Sequence, residues 1–336
     1  MRHSVEMNSI SPKAVLEKLF SGALFIDESS RGKIEVFGPE AGMFLHNLST
    51  ADVAGMPIGA GTEAFFANSK ARAVAWGGIY HVLLSQGRGA FWVDIAPGQE
   101  SILLAHLDRH LISEQAEFCD RTEAFNQFHI VGNSARAILE NLTEGALPDL
   151  EPWQHMERQV GPRAVCHIRY REPFGFPGYD IVCQSKLGSD IHQLLVVNGA
   201  KEVAGENLEW ARLGAGTPKW GCEINAETFV SEVGRNSVAV APNKGCYLGQ
   251  EPIVMARDRG QISKRLSKLS TIGAFGDLPA ILRDGEKEAG VITSAAVHPE
   301  LGGIALGYVR RNWWQRGANL TANGLEIKVV GPASQE

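Results

Sequence analysis

The chain has 336 residues, of which 44% are hydrophobic and 21% charged, with a formal net charge of −6. That length supports two or three subdomains with substantial cores, and the acidic balance excludes a general nucleic-acid binder, which needs a basic face for phosphates. No apolar run reaches the 18 residues of a membrane span, and Met1 to Ile10 carries no apolar core of signal-peptide length. The five cysteines (119, 166, 183, 222 and 246) are widely spaced without a CxxC pair. That pattern suits a reducing compartment and supplies no metal-ligand cluster. The expectation is a cytoplasmic monomer with neither membrane nor nucleic-acid partners.

Taken in order, Ser11-Pro12 predicts a helix to Phe20, with Val15, Leu16, Leu19 and Phe20 on one face. Short strands follow at 23–26 and 33–37, and Gly38-Pro39-Glu40 starts a helix bearing Met43, Phe44 and Leu48. Thr50 and Asp52 read as a polar turn ending that helix. Residues 63–68 and 71–84 are strand-like, the second run interrupted by Gly77-Gly78. A helix from Pro97 to His110 places His106 and His110 four apart, as metal ligands can be, but no third ligand is near. Strands at 117–120 and 125–131 and a helix to Leu142 complete a strand–helix–strand rhythm of ferredoxin-like type.

Residues 143–161, rich in Pro and Gly, read as a connection between subdomains. Strands at 165–170 and 179–184 flank a turn whose Phe174 and Phe176, with Tyr179, either line a pocket for a flat heterocycle or pack on the sheet. Helices are predicted at 187–198 and 206–213, the latter running into Arg212-Leu213-Gly214 and then Trp220-Gly221-Cys222-Glu223. Glu223 and Glu232 are carboxylates near the stretch 244–251 that either serve it or are simply solvated. From Leu266 onward, five short strands separated by glycines have the texture of a small β-barrel, with Trp313 and Trp314 expected at its junction with the rest.

The most distinctive stretch is Lys244-Gly245-Cys246-Tyr247-Leu248-Gly249-Gln250-Glu251, followed by Pro252. It predicts a tight loop leading into a helix whose positive end faces the thiol. With Lys244 two residues away, Cys246 is expected to be the most acidic and reactive of the five thiols. The plain alternative is a structural cysteine in a Gly-rich turn. Beyond it, Arg257, Arg259, Lys264, Arg265 and Lys268 place five cations in twelve residues. These either grip an acidic ligand or form a solvated face.

Lys-Gly-Cys-Tyr-x-Gly-Gln-Glu resembles the signature of the YgfZ-type proteins, folate-dependent relatives of the glycine-cleavage T-protein (aminomethyltransferase). The run from Ser30 through Val53 resembles the N-terminal pattern of the same superfamily, and Ala305-Leu306-Gly307-Tyr308-Val309 its C-terminal barrel. The resemblance implies an α+β fold, a T-protein-like ring of ferredoxin-like subdomains closed by a C-terminal β-barrel. On that reading residues 1–262 hold two interleaved α+β subdomains with a junction near 143–162, and residues 263–336 form the barrel.

What the resemblance implies about function is a tetrahydrofolate-binding accessory protein for iron–sulfur cluster assembly or repair, acting on tRNA modification through iron–sulfur enzymes. The expected cofactor is tetrahydrofolate or a derivative, and iron–sulfur proteins are the expected partners. Cys246 is the implied functional thiol. Lys244, Tyr247, Gln250, Glu251, Arg212, Arg257 and Trp76 are the implied cofactor contacts, and no metal site is implied. Two departures bear on the chemistry. Trp76 aligns with the T-protein catalytic aspartate, and no carboxylate occurs between Glu63 and Asp94. Indole cannot accept a proton at neutral pH, which argues against aminomethyl transfer. Gly214 stands where T-proteins carry the glutamate that holds the pterin, and Met255 where an arginine is common. The rival expectations are a folate-dependent aminomethyl or methyl transferase and a non-catalytic folate-sensing module.

Overall fold

The computed structural model describes residues 10–84, 87–143, 145–260 and 262–334, and all of Arg259 except its side chain; most of the N-terminal stretch read above, residues 1–9, lies outside these. Ser11 caps α1 (Pro12–Ser21), its hydroxyl accepting from the Ala14 amide, with proline at the first position. The chain continues through β1 (Leu24–Asp27), β2 (Gly32–Phe37), α2 (Ala41–Leu48), β3 (Gly61–Ala67), β4 (Ala73–Leu83), β5 (Gly89–Ile95) and α3 (Glu100–His110). Next come β6 (Glu117–Asp120), β7 (Phe125–Val131), α4 (Ala135–Leu142), β8 (His155–Val160), β9 (Ala164–Tyr170), β10 (Gly178–Gln184), α5 (Gly188–Val197) and β11 (Lys201–Glu202). Helices α6 (Glu209–Ala215), α7 (Asn236–Ala239) and α8 (Gln250–Arg259) precede β12 (Lys264–Thr271), β13 (Ala280–Asp284), β14 (Lys287–His298), β15 (Gly302–Arg310), β16 (Asn319–Ala322) and β17 (Leu325–Pro332).

Three layers of sheet result. The first runs β3-β4-β5-β2-β6, the second β11-β1-β7-β10-β9-β8, and β12-β15-β14-β13-β16-β17 closes into a barrel. The two open sheets are interleaved in sequence. Strand β1 belongs to the second sheet, β2 to β6 build the first, and β7 to β11 return to the second. The short β1–β2 connection therefore crosses between the sheets, carrying Glu28, Ser30 and Arg31. Each sheet buries one face against helices: Ile34, Phe44, Leu45, Ile79, Val93 and Leu103 in the first core, and Phe25, Ile130, Leu139, Ile168, Ile181 and Leu195 in the second. A further core, including Phe65, Leu213, Val233, Tyr247, Ile253 and Tyr308, welds the first sheet to α6, α8 and the barrel.

Several expectations change in detail. Phe20 is exposed although its spacing placed it on one face with Val15, Leu16 and Leu19, and Met43 is exposed as well. Gly77-Gly78 does not interrupt β4, and within the Pro/Gly-rich connection residues 155–160 pair with β9 as an edge strand. The barrel has six strands rather than five: β13, a short Ala-Ile-Leu-Arg-Asp run, was not anticipated. His106 is buried, and that burial pushes its imidazole down to about 4. Glu223 and Glu232 are also buried. Glu223 accepts from Arg212, the Lys219 amide, Thr293 and Ser294, and Glu232 from Ser263. Trp313 and Trp314 pack on the barrel's own core. No helix among the described residues is long and apolar enough to cross a membrane.

Candidate functional site

Where the two open sheets and α6 meet, a cavity of about 300 Å³ opens, walled by Trp76, Trp153, Phe174 and Trp220. Its other lining groups include Glu28, Arg31, Arg171 and Arg212, together with Asp27, Glu206 and Lys219. Beta pairing sets the floor. Gly77 lies so close to β5 that an added Cβ would sit 1.9 Å from the Asp94 carbonyl oxygen, so no other residue fits there. Trp153 holds φ at 72°, a left-handed conformation rare for a bulky residue, and its ring packs 6.1 Å from Tyr80.

The charges under the cavity neutralise one another. Asp94 accepts from Arg31 Nε at 2.5 Å and from Arg169 at 2.9 Å. Burial alone would raise its carboxyl, but Arg31, Arg169 and Arg171 outweigh that and hold it below the usual range. Arg171 forks onto Asp180 at 2.5 and 2.7 Å and reaches Glu28 at 2.8 Å. The Arg169 guanidinium stacks 4.1 Å over the Tyr80 ring. Arg212 donates to Glu209 at 2.6 and 3.0 Å and to Glu223 at 3.0 Å. Trp76 donates its indole N–H to Glu63 at 2.7 Å, and the same fully buried carboxylate is clamped by both arms of Arg235. The nearest carboxylate to Trp76 is thus locked against proton transfer. Asp27 and Glu206 are exposed, as is Lys219, and none of the three forms an ion pair among the described residues.

The eight residues singled out from the sequence do not converge. Trp76 and Arg212 line the cavity, whereas Tyr247, Gln250 and Arg257 line a second pocket that shares no residue with it. Lys244 is buried, and its ammonium donates to the carbonyls of His46, Ser49 and Ala51 at 2.5, 2.7 and 2.6 Å. That corrects the electrostatic account of Cys246. The cation is spent on the carbonyls at the end of α2, and burial lowers its own pKa to about 8. Gly249, at φ 81°, starts α8 where an added Cβ would lie 2.6 Å from the Asn68 carbonyl oxygen. Cys246 and Glu251 are exposed. Of the five cations after the loop, the four whose side chains are described disperse. Arg257 pairs with Asp258, Lys264 lies near Glu232, Arg265 stacks on Trp314 and Lys268 faces the Gly214 carbonyl, while the Arg259 side chain lies outside the description.

Of the aromatic turn, Phe174 lines the cavity, while Phe176 packs edge-on against Phe20 and Tyr179 against Tyr170. Thr50 is internal: its hydroxyl donates to the Ala239 carbonyl and accepts from the Phe65 amide. Sequence reasoning missed Glu28, Arg31, Trp153, Arg171 and Lys219. Only the turn-rich setting of Trp153 hinted at a special position. Among the described residues no group of three or more His, Cys, Asp or Glu is arranged to hold a metal ion.

Comparison with known proteins gives the same architecture. The GCVT N-terminal domain family matches residues 15–244. An aminomethyltransferase of Rubrobacter xylanophilus is 28% identical over 305 residues, covering 88% of this chain and 78% of that one. A putative chloroplastic transferase of Arabidopsis thaliana is 24% identical over 298 residues, covering 88% and 67%. The crystal structure of the glycine cleavage system aminomethyltransferase T from Bartonella henselae superposes with a TM-score of 0.80 at 22% identity, covering 92% of this chain and 85% of that one. That similarity is one of fold: an α+β ring closed by a C-terminal barrel.

Proposed function

The chain belongs to the GCVT N-terminal domain family, and from that premise we propose that it binds tetrahydrofolate or a derivative in the cavity between its sheets. In this reading it is a YgfZ-type accessory protein for iron–sulfur cluster assembly or repair, acting on tRNA modification through iron–sulfur enzymes, with iron–sulfur proteins as partners. The cavity suits such a cofactor chemically. Trp76, Trp153 and Trp220 offer faces for a flat heterocycle, Asp27 and Glu206 offer acceptors for its N–H groups, and Lys219 is a cation for an acidic tail. With Gly214 in place of a glutamate, pterin recognition passes to these other acceptors.

One observation carries the accessory reading over catalysis: Trp76 stands on the cavity wall with its indole bonded to Glu63, and Glu63 is held by Arg235. No uncommitted carboxylate stands on that strand pair to move a proton at the folate nitrogen. The names of the relatives favour the alternative, a folate-dependent aminomethyl transferase, in which Asp27 or Glu206 would have to serve as acid and base. A reconstituted glycine-cleavage assay separates the two. The accessory reading expects no methylene-tetrahydrofolate above a no-protein blank, and clear formation of it would sink that reading. Full complementation of an iron–sulfur enzyme defect by Cys246→Ser would instead favour a folate-sensing module in which the thiol is structural.

A further inference from the structure

The signature loop has a pocket of its own. Between α7, the 240–242 turn and α8 lies a cavity of about 230 Å³, below the ~300–1,000 Å³ of ordinary cofactor sites. It is separate from the folate cavity in lining, although Tyr247 and Trp76 rest on the same core. Val240, Pro242, Tyr247, Ile253 and Val254 make its walls apolar. Four polar side chains punctuate them: Asn236, Ser237, Gln250 and Arg257.

Two of these have unused capacity. Asn236 Oδ1 is buried without a hydrogen-bond partner among the described residues, an acceptor that needs a donor. Arg257 gives Nε to Asp258 at 2.8 Å and one terminal nitrogen to the Pro242 carbonyl at 3.2 Å. Its other terminal nitrogen bonds nothing among the described residues. The pairing with Asp258 is a surface contact between neighbouring residues and holds the guanidinium only weakly. An apolar chamber with one available cation and two neutral carboxamides suits a monoanion better than a phosphate dianion, whose desolvation one guanidinium could not offset.

We propose that this pocket is a second binding site, for a small aliphatic or aromatic carboxylate carrying one hydrogen-bond donor. The apolar body fills the chamber beside Tyr247 and Val254, the carboxylate meets Arg257, and the donor meets Asn236. Cys246, exposed and next in sequence to Tyr247, is not itself part of the lining. In this account Tyr247 and Gln250 of the signature serve the second pocket and not the folate cavity.

Saturation-transfer NMR on the full chain tests this with isocaproate, its hydroxy acid leucate, and the uncharged isocaproamide. Leucate is expected to bind best and the amide to give no signal. Arg257→Leu should weaken leucate by about ten-fold or more, the loss of one charge-assisted contact. Val254→Trp, which fills the chamber, should abolish binding while heats of tetrahydrofolate binding stay at the wild-type value. Because Arg257 is exposed, its replacement tests the site even if Val254→Trp fails to fold. Absence of binding by all three probes, equal binding of the amide, or leucate affinity indifferent to Arg257→Leu overturns the proposal.

Discussion

The cavity between the sheets and the signature loop are built on opposite principles. Around the cavity, buried charges are closed into pairs and forks: Arg31 and Arg169 on Asp94, Arg171 on Asp180 and Glu28, Arg235 on Glu63. In the loop, a single buried lysine holds backbone carbonyls while the thiol two residues on faces solvent. The lesson is that a cluster of ionisable residues can be scaffold, and a conspicuous motif can be a clasp. The cavity's charged groups without an ion pair among the described residues are the modest ones, Asp27, Glu206 and Lys219.

The contrast is sharpest under substitution. Arg171→Ala leaves Asp180 and Glu28 without their fork, and removing one partner of a buried pair costs about 3–5 kcal/mol. A urea midpoint within error of wild type would mean that the cavity network is decorative.

Acid should open the sheet interface before it disturbs the loop. Burial, aided by the charge on Arg169, lowers His155 to about 4 and His167 to about 3. Both are neutral when folded and take up protons more readily when unfolded, near pH 6.5. Stability is therefore complete above that pH and falls as pH drops towards 4, by on the order of 3 kcal/mol for each histidine. Asp94 and Asp180, held low by their arginines once their own burial is overcome, lose their contributions below about pH 4 in the same direction. A urea midpoint that is flat between pH 6.5 and 4 would contradict this.

Lys244→Met tests the clasp. Three carbonyls lose a charged donor, which predicts a loss of about 1–3 kcal/mol. Hydrogen exchange should quicken at the end of α2 while the sheet interface stays protected. Quickening spread evenly over both regions would show that the loop is no separate unit.

The smallest effect is expected at the thiol itself. Cys246→Ala should change stability by less than about 0.5 kcal/mol, since the side chain is exposed and makes no hydrogen bond among the described residues. With limiting iodoacetamide, Cys246 should label first because it is accessible, ahead of half-buried Cys119 and Cys222 and far ahead of buried Cys166 and Cys183. Labelling of a strand cysteine before Cys246 would mean that the sheets open more readily than the packing implies.

Local patterns in the sequence located most elements because capping and periodicity are local. The Ser11-Pro12 cap, the glycines flanking the signature and the barrel's alternating strands are examples. What stayed hidden depends on distant partners. Strand β8 exists because residues 155–160 find β9, and β13 because a five-residue run is paired on both sides. At the site, Trp76 and Arg212 were legible through family likeness. Arg31 and Arg171 were not, since nothing local tells that Arg31 reaches Asp94 on β5 or that Arg171 reaches Glu28 and Asp180. The role of Lys244 misled for the same reason: its partners lie nearly two hundred residues back along the chain.

The most direct test is calorimetric titration with tetrahydrofolate of wild type, Cys246→Ala and Gly205→Trp. Gly205 lines the cavity, and a Cβ there meets nothing within 4 Å, so a large side chain can be added without displacing the backbone. The account predicts equal heats for wild type and Cys246→Ala, and loss of binding in Gly205→Trp. No heat from wild type at millimolar tetrahydrofolate, or heat that survives Gly205→Trp but vanishes in Cys246→Ala, would contradict it.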